Sequence, residues 1–186
     1  MKKSILTVVF LCLCASLTAQ VEVGGVTFPK NYKSADANLV LNGAGVREKL
    51  WIDLYVAGLY LEEKSTDADA IIKSEEPMAI KLQIVSRLIT SEKMSNAVED
   101  GFENSTGGDT KPIATQIKTF MEFFKEEIKK GDIFDLVYKP GTGVVALKNN
   151  EKKGVIKGKE FKEALFGIWL SDKPAEDDLK EAMLGN

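Results

Sequence analysis

The chain has 186 residues, 44% of them hydrophobic and 28% charged, with a formal net charge of −3, which suits one globular domain with a substantial core. It contains no histidine, so Ser-His-Asp and Cys-His machinery is excluded, and the commonest zinc ligand is missing. No cluster of lysines and arginines is dense enough to suggest nucleic-acid binding.

The first residues have the layout of a cleavable secretory signal. Lys2 and Lys3 form a basic start, Ile5 to Leu13 an apolar run too short to span a bilayer, and Ser16-Leu-Thr-Ala19 ends in a small residue before Gln20. The expectation is a signal peptide over residues 1–19, export to the periplasm or the extracellular space, and a single domain over 20–186. Cleavage would remove Cys12 and Cys14, leaving no thiol, and would take the net charge from −3 to −5.

Val21 to Phe28, with Gly24-Gly25 inside it, reads as a short strand or hairpin before Pro29. Asn31 to Asn38 is polar and loop-like. The stretch from Gly43 to Leu61 reads as the end of one strand, a tight turn that carries Arg47, and a second strand. From Leu50 on, Trp51, Asp53, Tyr55, Ala57 and Leu59 share one face. An Asp and a Tyr on an apolar face near an arginine can form a cavity wall that holds an anion. The alternative is a half-buried strand whose Arg47 pairs with a surface carboxylate, and the pattern alone favours this alternative, because most charged residues are simply solvated.

Thr66 or Asp67 can cap a short helix through Ile72. A strand follows from Met78 to Leu88, then a helix capped by Thr90 or Ser91 with Met94, Ala97, Val98 and Phe102 at helical spacing. Pro112 stands near the start of a second helix, whose stripe of Ile113, Ile117, Phe120, Met121, Phe124 and Ile128 runs toward Gly131. Such a stripe is usually core, with the wall of a ligand tunnel as the minority reading, although the two can be one surface. Ile133–Lys139, Val144–Lys148 and Gly154–Lys157 read as three strands, with turns at Pro140-Gly-Thr-Gly143 and Asn149-Asn150. Lys159 to Leu170 is a long helix with Phe161, Ala164, Leu165, Ile168 and Trp169 inward. A last helix begins at Pro174, with Glu176, Asp177 and Asp178 in its first turn. Strands joined by short turns, interrupted by amphipathic helices, predict an α+β domain: an antiparallel sheet with helices packed on one face.

Asn42-Gly-Ala-Gly-Val-Arg47 followed by Tyr55-Val-Ala-Gly-Leu-Tyr-Leu61 resembles the opening of the chalcone isomerase-like family, and Glu163-Ala-Leu-Phe-Gly167, Ser171-Asp-Lys-Pro174 and the acidic last helix resemble its C-terminal part. The resemblance covers most of Leu39 to Gly185. It implies the same sheet-and-helix arrangement with a ligand cleft between the layers. The family contains true isomerases and fatty-acid binders. The isomerase pattern wants the arginine, a strand threonine, a helical Tyr, Lys and Asn, and a late Ser or Thr. Arg47 matches, but Tyr55 stands at the threonine position, the helical set falls near Lys93, Asn96 and Asp100 without a match, and Ala164 replaces the late hydroxyl.

The fatty-acid-binding pattern implied by the resemblance uses an arginine and a tyrosine for the carboxylate, and Arg47 and Tyr55 match it. The expected ligand is therefore a fatty acid or similar amphipathic acid, held at Arg47 and Tyr55 with its chain along the Phe/Met/Ile stripe. No catalytic residue, cofactor or metal is assigned. The competing readings are an isomerase or intramolecular lyase, and an envelope accessory protein acting through a partner surface that Trp51 or Trp169 would mark if exposed.

Overall fold

A computed structural model describes residues 20–33 and 37–186; the signal-like segment and its two cysteines lie outside the described residues. Nine strands and five helices follow one another as β1 (Gln20–Val23), β2 (Val26–Pro29), β3 (Asn31–Lys33), β4 (Asn38–Lys49), β5 (Ile52–Leu61), α1 (Ala68–Lys73), β6 (Met78–Ile84), α2 (Ser91–Ser105), α3 (Ala114–Met121), β7 (Ile133–Lys139), β8 (Gly143–Lys148), β9 (Glu151–Ile156), α4 (Lys159–Leu170) and α5 (Asp177–Leu184). Strands β3 to β9 form one antiparallel sheet in sequence order, and β1 and β2 form a separate hairpin.

The sheet has a different cover on each face. Tyr55, Ala57, Leu59 and Leu61 of β5 and Met78, Ile80, Leu82 and Ile84 of β6 point toward the helices, where they meet Phe102, Phe120, Phe161, Leu165 and Trp169. The alternate residues Val56, Tyr60, Ala79 and Val137 point the other way and are covered by Val26 and Phe28 of the β1–β2 hairpin with Leu39 and Leu41. The helices thus occupy one face, and the reverse face carries its own smaller apolar cluster. An ion pair between half-buried Lys81 and buried Asp135 lies on that reverse face, Lys81 Nζ to Asp135 Oδ1 at 3.0 Å, directly across the β6–β7 register. The Tyr60 hydroxyl donates to the Pro29 carbonyl and ties the hairpin to β5.

Several boundaries differ from the sequence reading. The residues 31–38, read as loop, include β3, an edge strand paired with Lys33, Tyr32 and Asn31 against Asn38, Leu39 and Val40. Arg47 is not in the turn but inside β4, because the turn is made by Leu50 and Trp51. β6 ends at Ile84 rather than Leu88, since a bulge at Leu54 lets its carbonyl take both Val85 N and Ser86 N, at 3.1 and 3.2 Å, and closes the ladder. The helix read through Ile128 stops after a 3-10 turn at Glu122–Phe124. There the Glu126 and Glu127 carbonyls accept from Ser91 Oγ and Lys148 Nζ, tertiary donors in place of the next helical N–H. Ile128 is nevertheless buried. The last helix starts at Asp177, with Glu176 rather than Pro174 at its boundary.

The helices are pinned by polar contacts as well as by packing. Asp67 caps α1 through Ala70 N, and Thr90 caps α2 through Lys93 N. The far end of α1 is held by Lys162 of α4. This side chain is 1% exposed and its ammonium donates to the carbonyls of Ile71, Ile72 and Ser74 at 3.3, 2.6 and 2.6 Å. Those are carbonyls at a helix C-terminus, where a cation is favoured. The ammonium also stands 5.1 Å from the Tyr138 ring centroid and 5.7 Å from that of Phe166. Burial lowers its pKa from 10.5 to about 8, with Glu163 opposing the shift.

Candidate functional site

The Gly-x-Gly-x-Arg run of β4 acquires its meaning from α5. Gly43, Gly45 and Arg47 face the helix layer, opposite Leu59, Ala57 and Tyr55 of β5. A Cβ on Gly43 would lie 2.1 Å from the Ala182 carbonyl, and one on Gly45 would lie 2.7 Å from the Ala182 side chain. The two glycines are therefore a bare track on which α5 sits against the sheet. Asn42, a bulge residue of β4, fastens the track's far end: its Nδ2 donates to the carbonyls of Met183 and Ser65, both at 2.9 Å, and its Oδ1 accepts from Ser65 N at 2.9 Å. Together these contacts fix where the start of α5 lies over Arg47.

At that start, Glu176 extends its carboxylate to Arg47 instead of capping its own helix. Arg47 Nη1 donates to Glu176 Oε2 at 3.0 Å, and the Glu48 backbone N–H donates to the same oxygen at 2.9 Å. The second donor depends on the bulge at Leu54, which steps the register from Arg47↔Tyr55 to Glu48↔Asp53 and turns the Glu48 N–H toward the carboxylate. Arg47 Nη1 also donates to the Glu48 carbonyl. A guanidinium and a peptide N–H thus converge on one carboxylate oxygen, an arrangement suited to any carboxylate that reaches it.

Tyr55 is directly across the ladder from Arg47 and buried. Its hydroxyl oxygen accepts from Trp169 Nε1 at 3.1 Å. A hydroxyl that accepts in this way keeps its own proton to donate. Burial pushes the Tyr55 pKa up to about 12; the Trp169 hydrogen bond and Arg47 pull it down, and Glu176 raises it. Tyr55 is accordingly a neutral donor at neutral pH.

The structure brings Arg47 and Tyr55 together on one face, at the corner where α4 ends and α5 begins. It also adds Glu176, Trp169 and the Glu48 N–H, none of which the sequence reading assigned to the site. In the sequence Trp169 reads as an inward helix residue, or as the mark of a partner surface, which its burial rules out, and Glu176 as a favourable first-turn charge. Asp53 is exposed on the outer side of the bulge and joins none of these contacts. Lys93 of α2 donates to the Leu88 carbonyl at 3.1 Å. Among the described residues, no group of three or more Asp, Glu, His or Cys is placed to hold a metal ion.

Two cavities open elsewhere. One of about 540 Å³ is lined by Leu61, Ile71, Pro77 and Met78 with Glu62, Glu63 and Glu76. The other, about 450 Å³, lies between α2 and α3 and is lined by Phe102, Ile117 and Met121 with Glu99, Glu103 and Glu122. Neither is lined by Arg47 or Tyr55. Three carboxylates in each, opposed only by Lys118 in the second, make them poor seats for an anion. The apolar stripe divides accordingly: Ile117 and Met121 face the second cavity, while Ile113, Phe120, Phe124 and Ile128 are buried in the main core.

Comparison with known proteins agrees with this architecture. The sequence matches the family described as chalcone isomerase-like over residues 20–185. The chain belongs to the chalcone isomerase-like family. No curated protein matches its sequence. Among solved structures, a fatty-acid binding protein of Arabidopsis thaliana is similar to it with a TM-score of 0.72, covering 89% of this chain and 96% of that one at 19% identity. At that identity the likeness establishes the family fold, a curled antiparallel sheet with helices on one side.

Proposed function

We propose that this family member binds a fatty acid or a closely similar amphipathic carboxylic acid, with the head group at Arg47 and Tyr55. The observation that carries this reading is the convergence of the Arg47 guanidinium and the Glu48 N–H on a carboxylate, that of Glu176. In the apo protein Glu176 is an internal surrogate for the ligand. An incoming carboxylate replaces it, and Tyr55, facing Arg47 across the ladder, donates the further hydrogen bond. The fatty-acid binding activity of the Arabidopsis relative supports the same class of ligand.

The chain is closed over the Tyr55–Trp169 contact, so binding requires the α4–α5 corner to give way. A methylene moved from water into the apolar layer gains about 0.8 kcal/mol. Ten of them give roughly 8 kcal/mol before ordering costs, to be set against the polar contacts of the corner and the buried Trp169, Leu179 and Met183 that its opening exposes. A neutral Tyr55 with a pKa near 12 is suited to holding an anion rather than abstracting a proton. The signal-like residues 1–19 support export, so the ligand would be met outside the cytoplasm.

Native mass spectrometry of the purified protein, followed by calorimetric titration with palmitate, tests the reading. The expected result is a co-purifying or added acid bound one to one. Absence of any bound acid, together with no heat on titration, overturns it.

A further inference from the structure

Among the described residues, the exposed large apolar side chains are Leu50, Trp51, Ile52 and Leu88, at 81%, 92%, 41% and 51%. They gather at one end of the sheet. Leu50 and Trp51 form the β4–β5 turn and Ile52 opens β5, and the residues leading to Leu88 are bonded beside that hairpin through Val85 N and Ser86 N to the Leu54 carbonyl.

The turn itself is unusual in its chemistry. Leu50 and Trp51 have φ of 53° and 65°, the left-handed pair demanded by a two-residue hairpin of this hand. Two other tight turns in the chain place the residues such a turn favours: Gly24-Gly25 at 55° and 72°, and Asn149-Asn150 at 52° and 67°. At the β4–β5 turn alone, two bulky apolar residues take the left-handed region at a conformational cost. Inside the fold they gain nothing for it, because both side chains stand in solvent. A contact from outside the molecule would offset that cost.

We propose that this tip is a membrane-docking element that inserts Leu50, Trp51 and Ile52 into the interfacial zone of a lipid bilayer, with Leu88 at its edge. Three features favour a bilayer over a protein. The apolar side chains are presented from a hairpin end and amount to roughly 500 Å², less than the about 800 Å² that one partner contributes to a stable protein interface. Tryptophan with flanking aliphatic residues is the combination that partitions into the headgroup boundary. Exposed Lys49 and Arg87 beside it, balanced by exposed Glu48 and Asp53, leave the tip without net charge, so its apolar side chains meet no repulsion from phosphates. The tip also adjoins the acid site, since Tyr55 lies three residues beyond Ile52 on the same strand. The choice of a bilayer thus rests in part on the acid-binding reading, because a fatty acid would be collected from or delivered to such a surface. No helix among the described residues is long and apolar enough to cross a membrane, and the docking proposed here is peripheral.

The test uses mixed phosphatidylethanolamine–phosphatidylglycerol vesicles without fatty acid. The full chain should sediment with them, and its Trp51 emission should shift to the blue and be quenched by brominated lipid, while buried Trp169 contributes a constant background. The variant Leu50→Asn/Trp51→Gly should lose vesicle partitioning on the order of 30-fold. It should also unfold at higher denaturant concentration, because the turn now carries the residues its geometry wants, which separates loss of docking from loss of folding. The same variant should still take palmitate from solution, so failure of the docking proposal and failure of the acid-binding reading are distinguishable. No sedimentation of the wild type, equal sedimentation of the variant, or a tip protected only by concentration-dependent self-association would each overturn membrane docking.

Discussion

Replacing Lys162 with methionine lowers the unfolding free energy by about 3 kcal/mol, even though a methionine nearly fills the same volume. The ammonium is the donor for three carbonyls at the end of α1, those of Ile71, Ile72 and Ser74. Methionine leaves them without that partner inside the protein, and α1 loses its tie to α4. For a chain of this size such a loss corresponds to roughly 10 °C in melting temperature. The pH dependence supplies an independent reading. The Lys162 pKa is lowered from 10.5 to about 8, so between those values the unfolded chain carries a proton that the folded chain has released. Stability therefore rises with pH through this window on account of Lys162. Tyr55 acts in the opposite sense, since its pKa is raised to about 12, as do Tyr32 and Tyr60, whose pKa values burial also raises. Their unfolded forms ionise from about pH 10, and stability falls above it. Urea denaturation at intervals from pH 7 to 11 should show the rise in the wild type and its loss in Lys162→Met. A variant as stable as the wild type, with the same pH profile, would mean that Lys162 does not anchor α1.

Arg47→Ala and Glu176→Gln should move acid binding in opposite directions. Arg47 supplies the charge, and losing a charge-assisted contact to a carboxylate costs about 2–3 kcal/mol, or roughly 50-fold in affinity. Glu176→Gln removes the internal competitor. The Arg47–Glu176 pair is partly exposed on both sides, so releasing it is worth about 1 kcal/mol, and palmitate binding should tighten roughly fivefold. Neither substitution should disturb the fold strongly, because α5 is also held by the glycine track and Asn42. Calorimetry on the two variants separates a ligand seat from a strut. If the ion pair only fastens α5, both substitutions loosen that helix alike, and neither improves binding.

Much of this fold is legible in the residues themselves. The helix Lys159–Leu170 and the strand Ile133–Lys139 coincide with their periodicity to the last residue, because Gly158 and Pro140 interrupt the pattern at the ends. Asn149-Asn150 marks its own turn for the same reason, as asparagine accepts the left-handed region. The elements that were not legible are those decided by contacts from distant residues. Lys162 lies in an apolar helix, and its partners are some 90 residues away in sequence. The helix through Ile128 is cut short by donors from Ser91 and Lys148. Arg47 reads as a turn residue because Leu50-Trp51 carries no turn signal, and the same mismatch that hides the turn is the clue to its exposed tip. Of the proposed acid site, the arginine and the tyrosine could be singled out through the family resemblance. Glu176 could not, since a first-turn glutamate ordinarily serves its own helix.

The structure of the protein with palmitate bound tests the central claim most directly. The carboxylate should lie within hydrogen-bond distance of Arg47 and the Tyr55 hydroxyl, with Glu176 displaced from the guanidinium and the alkyl chain entering between the sheet and the α4–α5 corner. A palmitate seated in either of the two acid-lined cavities, with the Arg47–Glu176 pair intact, would contradict it.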